Sequence, residues 1–119
     1  MGGVLLLAGT VATVVLVQAS FASGGAHTSA TKNVSIRDDF FRAKRVTIHS
    51  GDRVKWTWRN TAGDHNVRFR KVPRGVSKKP GSTTKAGGTF VRKFRKRGTY
   101  RYVCTIHEDL GMTGSVKVE

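Results

Sequence analysis

The strongest constraint on the fold is an alternation of apolar and polar residues that begins at Lys32 and continues to the end of the chain. It is clearest where Val54, Trp56 and Trp58 occupy every second position between polar residues. Side chains alternate between the two faces of a strand, so this pattern predicts strands with one buried face. No stretch of ten residues after Lys32 carries the apolar stripe of a helix. The sequence therefore predicts an all-β domain.

Turn-forming residues divide the alternating region into seven or eight short segments. The clearest turns are Asp38-Asp39, Ser50-Gly51-Asp52, Asn60 to Asp64 and Lys96-Arg97-Gly98. Many short strands separated by such turns are typical of an antiparallel sandwich or barrel. Residues 72–88 are the exception, because prolines and glycines interrupt a basic, Ser/Thr-rich stretch that we predict to be an irregular loop.

The first 31 residues differ from the rest, since they contain no Asp, Glu, Lys or Arg, and Val4 to Val17 is almost wholly apolar. This pattern is typical of the apolar region of a secretory signal, with small residues that allow cleavage after Ala19 or Ala22. The uncharged stretch is also just long enough for a membrane anchor. We predict that residues 1–22 are a signal peptide or an N-terminal membrane anchor, residues 23–31 a flexible linker, and residues 32–119 the domain.

The domain contains one cysteine, Cys104, although exported domains usually pair their cysteines as disulfides. His107 and Met112 follow it with the spacing C-x2-H-x4-M. An inert buried thiol is the alternative interpretation, but a thiolate, an imidazole and a thioether so close together favour a metal site. We therefore predict a metal-binding protein that is exported, whether periplasmic, extracellular or at the cell surface.

The remaining histidines differ in their surroundings. His65 follows a Gly-Asp turn and shares the inward phase of the alternation with Val67 and Phe69, so it is either a turn histidine or a further ligand. His27 lies in the linker and His49 at a strand end, and both are predicted to be solvated rather than to bind metal.

Two segments, His65-Asn66-Val67 and the stretch from Gly98 to Met112, resemble the plastocyanin-like blue copper proteins, or cupredoxins. The resemblance follows the strand order of the whole domain, and it implies a Greek-key β-sandwich of seven or eight short strands. It also implies one type 1 copper ion and roles for particular residues. The implied ligands are His65, Cys104, His107 and Met112.

By the same resemblance, Asn66 would hold the cysteine loop through hydrogen bonds. His107, Leu110 and Gly111 would form an apolar surface where the electron leaves, called here the exit patch. The chain departs from the family at Ile106, where relatives usually have proline. An additional backbone N–H at this position can change the hydrogen bonding near the thiolate, so the reduction potential is not transferred from relatives.

The chemistry of the donors agrees with this interpretation. Two histidines, one cysteine and a weak axial methionine are typical of electron-transfer copper sites, whereas methionine is a poor ligand for zinc. The predicted function is electron transfer between redox partners outside the cytoplasm by cycling between Cu(II) and Cu(I). The alternative is copper delivery or storage without a dedicated redox partner. We do not expect an enzyme, because the chain lacks the His-x-His sets of multicopper oxidases and the second cysteine of a two-copper site.

The domain carries all 22 basic and all 7 acidic residues, and hence the whole formal charge of +15. Such an excess steers acidic partners, so we predict a redox partner with an acidic docking surface. Contact with an anionic membrane surface is a secondary expectation. Nucleic-acid binding is not expected as the main function, because the basic runs lack interleaved aromatic residues for base stacking. We expect a monomer.

Overall fold

The computed structural model describes residues 2–4, 9, 12–15 and 27–119. Eight strands and one short 3-10 helix follow one another in the domain. They are β1 (Thr31–Ile36), β2 (Phe41–Arg42), β3 (Arg45–Ile48), β4 (Arg53–Trp58), β5 (Arg68–Lys71), β6 (Thr89–Lys93), β7 (Gly98–Val103), the 3-10 helix (Glu108–Leu110) and β8 (Thr113–Val118). The predicted all-β class is confirmed.

The strands form two four-stranded sheets with the orders β2-β1-β4-β6 and β3-β8-β7-β5. Four of the strand pairs are antiparallel, but β1 pairs with β4 and β3 pairs with β8 in parallel. The predicted sandwich is therefore confirmed, but its strand pairing is mixed and not antiparallel throughout. The alternation that predicted the strands is the same for either direction, so it carries no information on how two strands pair.

An aromatic core lies between the sheets. Trp56 of β4 is fully buried and packs edge-to-face against Tyr102 of β7, with ring centroids 5.2 Å apart, and against Phe69 of β5 at 6.1 Å. Edge-to-face pairs bring the positive edge of one ring to the negative face of another, which adds to the gain from burial. Tyr102 lies opposite Gly114 of β8, where a Cβ atom would overlap its ring. The close approach of ring and backbone explains why this strand position is glycine.

The irregular loop of residues 72–88 is attached to the core by a buried cation. The guanidinium of Arg92 on β6 lies 4.4 Å from the ring centroid of Phe69 and donates hydrogen bonds to three loop carbonyls. The bonds to the oxygens of Ser77, Lys78 and Pro80 are 2.8, 3.2 and 3.2 Å long. Burial lowers the pKa of Arg92 from its ordinary value. The loop is thus fixed along its length despite having little regular structure.

Residues 1, 5–8, 10–11 and 16–22 of the predicted signal peptide or anchor, and residues 23–26 of the predicted linker, lie outside the described residues. In the ranges that are described, no helix has both the length and the apolar character that crossing a membrane requires.

Candidate metal centre

Three of the predicted ligands meet at one end of the sandwich. Cys104 directly follows β7, and its Sγ lies 3.9 Å from Nδ1 of His65 and 3.7 Å from Nδ1 of His107. The two imidazole rings are 4.8 Å apart between centroids. Cys104 and His65 are buried, whereas His107 is half-buried. Residues 39 positions apart in the chain therefore direct their donor atoms to one point.

The loop between β7 and β8 positions its own donors through backbone hydrogen bonds. The N–H of His107 donates to the Cys104 carbonyl at 3.2 Å, and the N–H of Cys104 donates to the Met112 carbonyl at 3.0 Å. The 3-10 helix ends at Gly111, whose φ of 80° is a left-handed conformation that favours glycine. This turn returns the chain so that Met112, fully buried, lies beside Cys104 and His107.

His65 is positioned from the other direction by the irregular loop. It forms an isolated antiparallel bridge with Lys85, through backbone hydrogen bonds of 2.9 and 3.0 Å. The sequence predicted a strand beginning at His65, but β5 begins only at Arg68. His65, Asn66 and Val67 are all buried, so the alternation is interrupted where the candidate centre lies.

Asn66 joins this segment to the cysteine loop. Its Oδ1 accepts a hydrogen bond from the N–H of Thr105 at 2.9 Å. Its Nδ2 donates to the hydroxyl oxygens of Thr105 at 2.7 Å and of Thr84 at 3.0 Å. The predicted contact between Asn66 and the cysteine loop is therefore present in the structure. The sequence did not indicate Thr84 or Thr105, because a threonine in a polar loop carries no distinguishing pattern.

The far side of the His65 ring faces a carboxylate. Its Nε2 is buried without a hydrogen-bond partner among the described residues, and Oδ1 of Asp38 lies 3.8 Å away. Burial and then the neighbouring charge of His107 lower the pKa of His65, while Asp38 opposes this shift. A lowered pKa favours the neutral imidazole, which is the form that binds metal. Asp38 was predicted only as a turn residue, because no local pattern shows which side chain faces a distant histidine.

The donor geometry fits a copper ion. Thiolate and imidazole bonds of about 2.3 and 2.0 Å at trigonal angles separate sulfur from nitrogen by roughly 3.6–3.8 Å. The two observed separations, 3.9 and 3.7 Å, are close to this range. The set of soft sulfur and imidazole donors is also the one that copper prefers.

The surface beside the centre is partly apolar. The side chains of Leu110 and Ile106 are 67% and 46% exposed, and Gly111 is exposed as well. Within residues 27–119, no hydrogen bond is donated by the N–H of Ile106. The 3-10 helix is further joined to β5 by a two-point ion pair in which Arg70 donates to the Glu108 carboxylate at 2.7 and 3.3 Å.

Comparison with known proteins agrees with this geometry. Residues 28–119 match the model of the family described as copper binding proteins, plastocyanin/azurin family. The chain belongs to this family. Membership confirms the predicted resemblance and the predicted metal, copper, together with the role in electron transfer.

Individual relatives point to the same family. The chain is 36% identical to plastocyanin of Prochlorothrix hollandica over 98% of its own length and 87% of the relative. It is 42% identical to amicyanin-alpha of Methylorubrum extorquens over 66% of this chain and 64% of that protein. The solved structure of oxidised plastocyanin from Dryopteris crassirhizoma superimposes with a TM-score of 0.63 over 73% of this chain and 99% of that one. At 23% identity, that similarity supports the cupredoxin fold alone.

Proposed function

We propose that this protein carries single electrons at a type 1 copper site formed by His65, Cys104, His107 and Met112. The observation that carries the proposal is the meeting of Cys104 Sγ with Nδ1 of His65 and Nδ1 of His107 at 3.9 and 3.7 Å. These residues would hold a copper ion, which would supply one-electron chemistry through the Cu(II)/Cu(I) couple.

The surrounding residues keep the donors in one arrangement in both oxidation states. Asn66 joins the His65 segment to Thr105, next to Cys104, and the backbone bridge to Lys85 fixes the other side of His65. Fixed donors reduce the rearrangement that accompanies a change in metal charge. This rigidity supports fast electron transfer more directly than it supports copper delivery, which requires donors that release the metal.

We propose His107 as the route of the electron. It is half-buried, whereas His65, Cys104 and Met112 are buried, so its ring is the donor that reaches closest to solvent. The proposed exit patch around it contains the exposed Leu110 and Gly111, and the exposed Ile106, which directly precedes His107, would extend it. The apolar side chains of this patch would allow a partner to approach the His107 ring closely.

The proposed partner is a redox protein with an acidic docking surface. An open groove of about 540 Å³ on the sheet that contains β7 adjoins the ligand loop at Glu108. Five basic residues line it, namely Lys44, Arg45, Arg70, Lys71 and Arg101. The excess of basic over acidic residues in this groove, where Glu108 is the one acidic residue in the lining, would raise the association rate of an acidic partner at low salt. Accordingly, the rate of electron transfer to an acidic cupredoxin partner or an acidic test protein should fall as salt is added, and Arg101→Glu should weaken this dependence.

We also propose that the protein works outside the cytoplasm as a monomeric carrier rather than an enzyme. The uncharged and largely apolar segment before the domain supports this location. Expression of the full chain followed by separation of cytoplasmic and exported fractions tests it.

The absorption spectrum of the Cu(II)-loaded protein tests the metal site. We expect an intense visible band from the thiolate, lost in Cys104→Ala and displaced in Met112→Leu. The matched control is His27→Ala, which removes a histidine far from the candidate centre and should leave the band unchanged. A colourless copper adduct of the unchanged chain would refute the type 1 site. A blue adduct without fast electron self-exchange would favour copper delivery.

A further inference from the structure

A second group of metal-binding side chains lies at the opposite end of the domain. His27 precedes β1, His49 follows β3 and Asp52 precedes β4, and their donor atoms all lie within 4.8 Å of one another. The six residues of β4 separate this end from the end that contains His65. At about 3.3 Å per residue the separation is roughly 20 Å, so the group is distinct from the copper site.

The carboxylate of this group is already fixed and ionised. Oδ1 of Asp52 accepts a hydrogen bond from the N–H of Ala30 at 2.8 Å, and Oδ2 accepts one from the N–H of His49 at 2.9 Å. The Ala30 bond, followed by those of His27 and His49, holds the pKa of Asp52 well below its ordinary value. A buried carboxylate that stays deprotonated needs no proton loss before it binds a cation.

The two histidines face different oxygens of this carboxylate. Nε2 of His27 lies 2.6 Å from Oδ1 of Asp52, which is a hydrogen bond. Nδ1 of His49 lies 4.0 Å from Oδ2, which is too long for one, and the two rings are 5.0 Å apart between centroids. The hydrogen bond to Asp52 thus explains the position of the His27 ring. No hydrogen bond to Asp52 explains why the His49 ring points toward the same carboxylate.

The spacing matches a metal site after small shifts. Two donors on one tetrahedral ion with bonds of about 2.0–2.1 Å are roughly 3.3 Å apart, a value between the two observed separations. The side chains of His27 and His49 are 44% and 68% exposed, so either ring can move by some tenths of an ångström without disturbing the core.

We propose that His27, His49 and Asp52 form a binding site for a divalent transition-metal ion of the zinc class. Two imidazoles and one carboxylate suit Zn²⁺ and leave its fourth position for water. The bound ion would join the residues that enter β1 to the turn between β3 and β4. Metal binding would therefore stabilise the attachment of the residues just before β1 to the rest of the domain. This effect would be independent of electron transfer.

Titration of the full chain with zinc chloride, after loading with Cu(I), tests the site. Copper first occupies the donors at the other end, and Cu(I) leaves the protein diamagnetic for nuclear magnetic resonance. The chain has four histidines, so each imidazole is followed separately. We expect the ring signals of His27 and His49 to shift and to saturate at one added equivalent, while those of His65 and His107 stay in place.

Variants distinguish specific zinc binding by these three residues from nonspecific binding elsewhere on the surface. His27→Ala and His49→Ala should each weaken zinc binding by roughly a factor of ten or more. The matched control is Glu119→Gln, because Glu119 lies at the same end, where its backbone pairs with Ile48 and Ser50, but outside the group. The midpoint temperature of thermal unfolding should rise when zinc is added to the unchanged chain and to the control. It should not change when zinc is added to the two histidine variants.

Three results would overturn the proposal. They are the absence of ring shifts at millimolar zinc, a shift of only one histidine, and unchanged affinity in His49→Ala. Neither histidine side chain is part of the buried core, so a folding defect is not expected to obscure the outcome.

Discussion

Replacing Asn66 with alanine should weaken the attachment of the ligand loop to the His65 segment. The substitution removes none of the atoms proposed to bind the metal. The side-chain amide makes three hydrogen bonds, one to the backbone N–H of Thr105 and two to the hydroxyls of Thr105 and Thr84. Each such bond contributes about 0.5–1.5 kcal/mol net. Since the threonine hydroxyls lie near solvent, we expect the free energy of unfolding to fall by about 2–3 kcal/mol in total.

This loss is large relative to the stability of a small domain, which is about 5–15 kcal/mol. For a domain of this size each kcal/mol shifts the unfolding midpoint by about 4–8 °C, so the midpoint should fall by roughly 10–20 °C. Thr84→Val removes one bond of the three and should produce about a third of that change. The measurement is thermal unfolding of the metal-free protein by circular dichroism.

The control is Asn33→Ala, which removes an asparagine from an exposed position of β1. The copper-loaded Asn66→Ala protein provides a second measurement, because less rigid donors should slow electron self-exchange. If Asn66→Ala and Asn33→Ala unfold at the same temperature and exchange electrons at the same rate, the reasoning from these hydrogen bonds is refuted.

Three further predictions concern other parts of the domain. Asp38→Asn should raise the reduction potential by some tens of millivolts relative to Asp39→Asn in voltammetry, because a nearby negative charge favours Cu(II) and about 59 mV corresponds to 1.4 kcal/mol. Gly114→Ala should lower the free energy of unfolding, measured by urea titration, by about 1–3 kcal/mol, because its Cβ would overlap the buried ring beside it. Gly63→Ala has open space around the added methyl group and should leave that free energy unchanged. The pKa of Asp52 is depressed on folding, so its contribution to stability is present above the ordinary value of 3.8 and is lost as the pH falls below it. Acid unfolding curves should accordingly show a shallower loss below pH 4 in Asp52→Asn, and an unchanged slope would contradict the assignment.

The sequence was informative wherever a local pattern was sufficient. Alternation predicted the buried face of β4, including Trp56, and donor chemistry with close spacing selected Cys104, His107 and Met112. His65 needed both its inward phase and the family resemblance, because a histidine after a turn is ambiguous by itself. Family membership confirms the fold and the metal, whereas the individual ligand assignments remain predictions for the copper spectrum to test.

Features that depend on long-range packing were not predictable in this way. The chain between Val72 and Gly88 looked irregular, yet it supplies the backbone partner of His65 and a hydroxyl partner of Asn66. Similarly, His49 was expected to be merely solvated, but folding brings it close to Asp52 and to a histidine from before β1. Such contacts join residues far apart in the chain, so no local sequence pattern predicts them.

The position of β8 has a consequence for when the copper site can exist. This strand follows all four proposed ligands in the chain, yet it lies inside its sheet between β3 and β7. Its parallel pairing joins Ile48 to Val118, so the sheet that carries Cys104 is complete only when distant parts of the chain have come together. We therefore expect the pocket to be complete, and copper to be captured, only after β8 has docked. A chain that stops before Thr113 would keep every proposed ligand and still have no pocket to hold the metal.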